Sequence, residues 1–340
     1  MGTYIGLDER TRPEDNYRGD LALYAGYATA DLSLLEPLRL IAGLRYEVST
    51  QELEAGSLYA PATGGGKLVD QSYADFLPTL NLVYALSPSV NLRAGYSYTL
   101  ARPTFRELAP FLYFDFARRR SVSGNPELVE TRIHNVDARA EWFPAESEVL
   151  AVSTFYKRFQ GPIERVITNV FQNDVGFDNA EGAQTYGVEL EARASLGRVA
   201  PVLSALRAGA NLTLVRSRIE LGESASVQTS QQRPLQGQSP YVLNLSLGYE
   251  RPQSGTELAL LYNVYGRRIS EVGIESIPDV YEQPFHRLDL ALSQKLGSAS
   301  TLKLTATNLL DQRLVAEQGG LSIYAYRPGV AFSATYGLSF

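Results

Sequence analysis

Apolar and polar side chains alternate along most of this chain with a period of two. The pattern is clearest at residues 329–340, where every even position from Val330 to Phe340 is apolar and every odd position is small or weakly polar. A β-strand turns successive side chains to opposite faces, so this alternation predicts half-buried antiparallel strands rather than helices. Strands are predicted near 19–33, 37–50, 72–86, 90–101, 131–143, 148–161, 181–195, 203–217, 240–250, 256–268, 283–295, 301–310 and 328–340.

The connections between these strands alternate between short and long. Short turns such as 87–89 and 144–147 alternate along the chain with long segments such as 102–130 and 218–239. Outer-membrane barrels have short periplasmic turns and long extracellular loops. A large soluble β-sandwich or barrel is the alternative, but its loops need not be sorted by side. We therefore predict an all-β, antiparallel, up-and-down transmembrane β-barrel region with about 13–14 strands.

One side of each predicted strand carries almost no charge. We expect that side to face lipid, because a charge at the middle of the membrane costs about 2–4 kcal/mol. Tyr336 and Phe340 of the final strand are the predicted membrane-insertion signal. Aromatic residues near strand ends are predicted to form interfacial girdles; they are Tyr46, Trp142, Tyr241, Tyr249 and Phe340. The residues predicted to line the lumen on the opposite side are Arg39, Arg45, Arg93, Arg139, Glu141, Lys157, Glu189, Glu191, Arg193, Asp289 and Lys303.

The composition narrows the possible classes. The 340 residues include 21 tyrosines and no cysteine, which fits membrane interfaces and excludes disulfide and thiol chemistry. A net charge of −6 argues against a nucleic-acid partner. The polar start lacks the basic and apolar regions of a signal peptide. We therefore expect either that a signal was removed or that the chain is the back portion of a longer protein.

The sequence offers little chemistry of the kind that enzymes use. Its two histidines, His134 and His286, lie where downward strands are predicted to begin, and we expect a structural or interfacial role for both. No recognisable motif places a nucleophilic serine beside either one, and metal-ligand spacing is missing from the sequence. The glycine run 64–66 is expected to be a loop tip, since no strand-to-helix context surrounds it. We predict no enzyme activity and no cofactor.

Several motifs in a fixed order resemble a known family. Ala101-Arg-Pro-Thr-Phe-Arg-Glu-Leu-Ala-Pro-Phe111 is followed by Ser123-Gly-Asn-Pro-Glu-Leu128 and then by Phe155-Tyr-Lys-Arg158. Together with Thr307-Asn-Leu-Leu-Asp311 and the terminal aromatic strand, they resemble the carboxyl-terminal barrel region of TonB-dependent outer-membrane receptors. The resemblance covers residues 19–340. Residues 1–18 are expected to be a loop remnant or a partial strand.

The resemblance implies a bacterial outer-membrane receptor for a scarce nutrient such as a siderophore, a vitamin or a glycan. Such barrels have about 22 strands and a plugged lumen, so this chain is expected to be a fragment without the plug. The implied partners are outer-membrane lipid and lipopolysaccharide, the barrel assembly machinery, a small nutrient and, through the missing plug alone, TonB. The rival interpretations are a passive channel of about 12–14 strands, an outer-membrane enzyme and a structural or adhesin barrel.

The long loop 102–130 holds the candidate ligand contacts. They are Phe114, Phe116, Arg118, Arg119 and Arg120. Arginines beside exposed aromatic rings suit capture of an anionic ligand. Two other interpretations stay open: a solvated loop that meets lipopolysaccharide, and packing against a neighbouring loop or the plug.

Overall fold

The computed structural model describes residues 17–55, 66–116, 120–169, 174–221, 228–230 and 232–338. One short helix, α1, spans Phe105–Leu108, and 3₁₀ turns lie at Leu196–Arg198 and Pro201–Leu203. The strands in chain order are β1 (Tyr17–Leu35), β2 (Leu38–Ala55), β3 (Gly66–Ser87), β4 (Val90–Ala101), β5 (Leu112–Asp115), β6 (Arg120–Ser123), β7 (Thr131–Trp142), β8 (Val149–Gln160), β9 (Ile163–Asn169), β10 (Asp174–Asn179), β11 (Gly182–Ser195), β12 (Leu206–Glu220), β13 (Tyr241–Arg251), β14 (Thr256–Tyr265), β15 (Arg268–Glu271), β16 (Val280–Glu282), β17 (Phe285–Lys295), β18 (Ser300–Thr307), β19 (Leu314–Gln318), β20 (Leu321–Tyr326) and β21 (Ala331–Leu338).

The largest unit is a 13-stranded sheet, which we call the wall. Its order is β1-β2-β3-β4-β7-β8-β11-β12-β13-β14-β17-β18-β21, and neighbouring strands pair antiparallel throughout. Each of the predicted stretches forms one wall strand. The alternating pattern therefore gave the right element type and order, and the predicted all-β antiparallel fold is confirmed.

The wall does not close on itself among the described strands. β1 pairs only with β2, and β21 pairs only with β18. Both edge strands run in the same direction, from the side of the long connections to the side of the short turns. This follows because the chain reverses direction an even number of times between β1 and β21 within the wall. We use the terms long-loop end and short-turn end for the two ends of every wall strand.

The pairing register sorts the wall residues onto two faces, because residues opposite each other on neighbouring strands share a side. Arg93 faces Arg139, Arg139 faces Ser153, and Ser153 faces Glu189. Following the register from β2 to β18 places all eleven residues predicted to line the lumen on one face, which we call the charged face. Their lining of a lumen stays a prediction.

The opposite side of the wall, the apolar face, leaves large hydrophobic side chains uncovered. Leu190, Leu245 and Tyr186 are 43%, 42% and 47% exposed. A continuous exposed apolar surface of this extent marks a contact with lipid or with another protein. No helix in the described part of the chain is long and apolar enough to cross a membrane.

The long connections contain strands that periodicity did not predict. Two four-stranded sheets, β5-β6-β10-β9 and β15-β16-β19-β20, lie beyond the wall at its long-loop end. We call these two sheets, together with α1, the loop layer. β2 and β3 also extend into the predicted loop 51–71, to Ala55 and from Gly66. These extensions continue the wall hairpin and leave Tyr46, a predicted girdle residue, in the middle of β2.

The buried apolar core lies where the loop layer meets the wall. Leu53 of β2 is fully buried against Leu108 of α1 and against Leu128. A second cluster, built on Ile269 and Val272, joins β15 to Val166 of β9. The core therefore fixes the loop layer onto one end of the wall.

Candidate lumen face and loop layer

An ion-pair ladder crosses four wall strands on the charged face. Glu141 of β7 accepts a hydrogen bond from Arg93 of β4 at 2.7 Å and another from Arg139 at 2.8 Å. Arg139 also donates to Glu191 of β11 at 2.6 Å, and Arg193 lies 3.2 Å from the same carboxylate. Five predicted lumen residues thus form one connected network, in which each carboxylate bridges two guanidinium groups.

The other predicted lumen residues are distributed along the same face. Arg39 pairs with Asp31 of β1, and Arg45 with Glu47 at 2.6 Å. Asp289 pairs with Arg287 at 2.9 Å and accepts the backbone N–H of Asn308 at 2.8 Å. The remaining three carry charge at separate positions and join no ladder in the described part of the chain; they are Lys157, Glu189 and Lys303.

A second charged cluster anchors the loop after β4 to the wall. Arg102, directly after β4, donates to Ser49 at 3.0 Å and to Glu47 at 2.9 Å. On its other side lie Asp75 at 3.8 Å and Glu130 at 4.0 Å. Arg102 belongs to the 101–111 motif, so one role of that motif is to anchor the loop by an ion pair. Its guanidinium group neutralises carboxylates of β2 and β3 and holds the start of the loop.

The next motif residues form a capped single turn. The Thr104 hydroxyl accepts the N–H of Glu107 at 3.3 Å, and the Glu107 carboxylate accepts the N–H of Thr104 at 2.7 Å. This reciprocal capping box satisfies two free backbone donors at the start of α1. The turn then directs Leu108 into the buried core.

The 123–128 motif closes against that turn. The N–H of Gly124 donates to the carbonyl of Ala109 at 3.0 Å, and a Cβ atom on Gly124 would lie 2.4 Å from that oxygen. Asn125 donates its side-chain amide to the carbonyl of Phe177 at 3.1 Å, which ties the segment to β10. The two sequence motifs are therefore two sides of one contact, and only glycine fits the closest approach.

Buried ion pairs join the long loops to one another. Arg233 makes a two-point contact with Glu164 of β9 at 2.9 and 2.6 Å, and both side chains are almost completely buried. Arg120 of β6 pairs with Glu271 of β15, and Arg165 lies 3.8 Å from the same carboxylate. Two backbone hydrogen bonds accompany these pairs: the N–H of Ile167 donates to the carbonyl of Val272 at 3.0 Å, and the N–H of Val272 donates to the carbonyl of Arg165 at 3.1 Å. Four separate connections thus interlock.

Two carboxyl groups near this layer have shifted protonation. Burial raises the pKa of Asp178 in β10, and the nearby carboxylate of Glu164 acts in the same direction. Burial also raises the pKa of Glu130, directly before β7, although Arg132 at 2.9 Å opposes the effect. Both groups hold a proton more readily than in water because their charged forms are poorly solvated.

The structure separates the predicted ligand contacts in the first long loop. Phe114 and Phe116 are exposed, and their rings meet edge to face with centroids 5.1 Å apart. Arg120 is buried in its pair with Glu271, so its guanidinium group is turned into the loop layer and not outward. Arg118 and Arg119 lie outside the described residues. Ligand contact by these five residues stays a prediction.

A comparison with known families gives the context for this geometry. A family model described as TonB dependent receptor-like, beta-barrel, matches residues 2–309. The chain belongs to the TonB-dependent receptor family. This finding confirms the resemblance drawn from the motifs. Barrels of this family are outer-membrane proteins, and its members are receptors and transporters.

Solved structures of this family share the fold at low sequence identity. The ferric-catecholate import receptor Fiu from E. coli K12 has a TM-score of 0.67 at 14% identity, over 95% of this chain and 45% of that one. The copper transporter OprC gives 0.66 at 17% identity, over 95% and 48%. The ferric enterobactin receptor of Pseudomonas aeruginosa gives 0.60 at 16%, over 94% and 54%. The chain therefore spans about half the length of these structures. No curated protein matches its sequence.

The histidines of this TonB-dependent receptor chain lie on the apolar face. Nδ1 of His134 shares a hydrogen bond of 3.1 Å with the Tyr96 hydroxyl, and Nδ1 of His286 shares one of 2.6 Å with the Tyr262 hydroxyl. Each imidazole satisfies a phenol near the long-loop end of the wall. No group of three or more potential metal ligands occurs among the described residues.

Sequence reasoning missed the acidic partners that organise the receptor's loop layer. Glu164, Glu271 and Glu47 each bind an arginine distant in the chain, and none stands in a recognisable motif. Glu47 did offer a signal in the sequence. It lies where the alternation of β2 ends, and a carboxylate buried at that point needs a cationic partner. Glu164 and Glu271 gave no such signal.

Proposed function

We propose that this chain forms part of the barrel wall and the outer loop layer of a TonB-dependent receptor that takes up a metal complex of the ferric siderophore type. The ion-pair ladder on the charged face carries the proposal. A lumen lined by paired guanidinium and carboxylate groups offers hydrogen bonds to a polar plug or cargo, while the interlocked loops present a defined surface at the entrance.

The cargo class is supported by chemistry in the loop layer. Phe114 and Phe116 expose aromatic rings, and the guanidinium group of Arg106 lies 4.0 Å from the ring centre of Tyr113. Exposed rings beside cationic groups suit flat, anionic, aromatic chelators through stacking and charge. The names of the ferric-catecholate and ferric enterobactin receptors and of the copper transporter agree with a metal-complex cargo; vitamin and glycan cargoes are the alternatives that the experiment separates.

The remaining partners follow from the same proposal. Energy would come from TonB through a plug domain, and the wall would contact outer-membrane lipid and lipopolysaccharide through its apolar face. The assembly machinery would read the last strand, in which Tyr336 is 59% exposed on that face. Phe340, the other half of the predicted insertion signal, lies outside the described residues.

Nutrient uptake by iron-starved cells tests the proposal. The gene is deleted and restored on a plasmid. Uptake of radiolabelled iron is followed for catecholate, hydroxamate and citrate chelates, and uptake of labelled cobalamin and oligosaccharides is followed to test the other cargo classes. We expect one metal complex to depend on the gene and on TonB. If uptake of cobalamin or of a glycan depended on the gene instead, the cargo would belong to that class and not to the metal complexes. Gene-dependent flux that persists without TonB and after a protonophore would favour a passive channel.

A further inference from the structure

Three arginines lie on the apolar face at the long-loop end of the wall, and a fourth lies close by, directly after β14. Arg158, Arg216 and Arg218 occupy the same face as Tyr186, as the register shows: Tyr186 faces Arg216, and Gln184 faces both Arg158 and Arg218. Arg267, just after β14, lines a groove of about 710 Å³ together with Arg216 and Arg218. We call Arg158, Arg216, Arg218 and Arg267 the outer arginine patch.

The described part of the chain does not neutralise the outer arginine patch. Arg158, Arg216 and Arg218 are exposed and make no ion pair or side-chain hydrogen bond with another described residue. Arg267 lies over the ring of Tyr281, 3.8 Å from its centre. By contrast, five arginines of the loop layer and its anchor are paired with carboxylates; they are Arg102, Arg120, Arg165, Arg233 and Arg268.

The nearby carboxylates do not cancel the charge of the patch. Glu282 is engaged by Arg268 at 2.6 Å, and Glu220 accepts a hydrogen bond from Gln184 at 2.9 Å. No acidic side chain is among the described residues that line the groove. Among the described residues, the guanidinium groups of the patch therefore have no carboxylate partner, and the patch attracts anions.

The surface from the level of Arg216 toward the short-turn end is aromatic and then aliphatic. At that level, Tyr156 and Tyr186 face each other and are 38% and 47% exposed. Further along the same face come Val188, Leu190 and Leu214. Residues two apart on a strand are separated by about 6–7 Å. Arg158 and Arg218 therefore lie one level above Arg216 and the two tyrosines, and the aliphatic level follows below.

We propose that the outer arginine patch binds the phosphate groups of a phosphorylated glycolipid of the outer leaflet, whose acyl chains lie along the apolar face below. Planar guanidinium groups bind phosphate oxygens in two-point contacts. Arg216 and Arg218 are neighbours on one strand, while Arg158 lies two strand spacings away, at about 10 Å. The patch can therefore reach more than one phosphate of the same headgroup. This inference rests on the proposed outer-membrane placement.

The test uses the full receptor purified in detergent and a triple variant, Arg158→Gln with Arg216→Gln and Arg218→Gln. Binding is measured to bicelles that contain bis-phosphorylated lipid A, to the same bicelles with dephosphorylated lipid A, to phosphatidylglycerol bicelles and to inorganic phosphate. Arg251→Gln is the matched control, because Arg251 is exposed on the same face at the short-turn end. Resistance of the folded barrel to unfolding in SDS at room temperature shows that each variant is folded.

We expect the triple variant and the dephosphorylated lipid each to weaken binding by at least about tenfold, as loss of several charge-assisted hydrogen bonds requires. Arg251→Gln should bind like the native receptor. Equal binding by a folded triple variant would overturn the inference, and so would equal affinity for phosphatidylglycerol or for inorganic phosphate. Failure of the proposed function itself is seen separately, as absence of the receptor from outer-membrane fractions.

Discussion

The buried pair of Arg233 and Glu164 offers the sharpest test of how the loop layer is held together. The carboxylate accepts two hydrogen bonds from the guanidinium group and a third from the backbone N–H of Gln236 at 3.1 Å. Gln228 accepts another hydrogen bond from Arg233 at 2.8 Å. Replacement of Arg233 by alanine would leave a buried carboxylate with one backbone donor and without its counter-charge.

The size of the effect follows from that burial. Removing one member of a buried ion pair costs about 3–5 kcal/mol, because the other charge stays buried without compensation. Since each 1.4 kcal/mol is tenfold, the open population of the loop layer should rise by a factor of about one hundred to several thousand. The double variant Arg233→Met with Glu164→Leu removes both charges and should restore most of the loss.

Hydrogen exchange of the intact receptor measures this opening. The amides of Ile167 and Val272 report directly, because their hydrogen bonds join β9 to the segment after β15 at 3.0 and 3.1 Å. The control is Arg327→Ala, which breaks an exposed pair with Asp311 at 3.4 Å and should cost no more than about 1 kcal/mol. If Arg233→Ala left exchange at Ile167 and Val272 unchanged, the pair would not hold the layer.

Other perturbations test other parts of the structure. Thr104→Ala removes the cap of α1 and should cost about 1 kcal/mol, seen as faster exchange across 105–109 beside an unchanged wall. Gly124→Ala forces a Cβ against a backbone carbonyl, so we expect new protease cleavage within 102–130; a resistant variant would contradict the close approach. Burial raises the pKa of Asp178, so the folded layer takes up a proton at a higher pH than the unfolded chain. Exchange in β9 and β10, corrected for its intrinsic rate, should therefore slow as pH falls from 7 toward about 4, the ordinary value. Asp178→Asn should weaken this dependence, and an unchanged dependence would contradict the assignment. Leu190→Arg on the apolar face should cost about 2–4 kcal/mol at mid-membrane, and normal assembly and stability of that variant in lipid would refute the lipid-facing assignment.

The wall could be predicted from the sequence because its signal is local. Every wall strand carries its own alternation, and a slip by one residue would turn its charges to the wrong face. Arg93, Arg139 and Glu191 could therefore be placed on one side before any pairing was known. Their partners followed less directly, since the bridge through Glu141 depends on which strands are neighbours.

The loop layer could not be predicted because its interactions are distant in the chain. β10 pairs with β6 in parallel and with β9 antiparallel, and strands of this length carry too little alternation to be recognised. Arg120 and Glu271 are 151 residues apart, and Arg233 and Glu164 are 69 apart. A sequence of unpaired charges in loops looks solvated until the fold brings the opposite charges together, which is why Arg120 was expected at a ligand surface.

The common direction of β1 and β21 sets a parity rule for assembly. Copies of this sheet inserted in the same orientation can bring together only edges that run the same way, so a ring made from whole copies could not be antiparallel at its seams. An antiparallel ring requires an odd number of additional strands between these two edges. Exposed strand edges normally invite self-association. Here the common direction of the two edges disfavours self-pairing, and an antiparallel partner for both edges must be a segment with an odd number of strands.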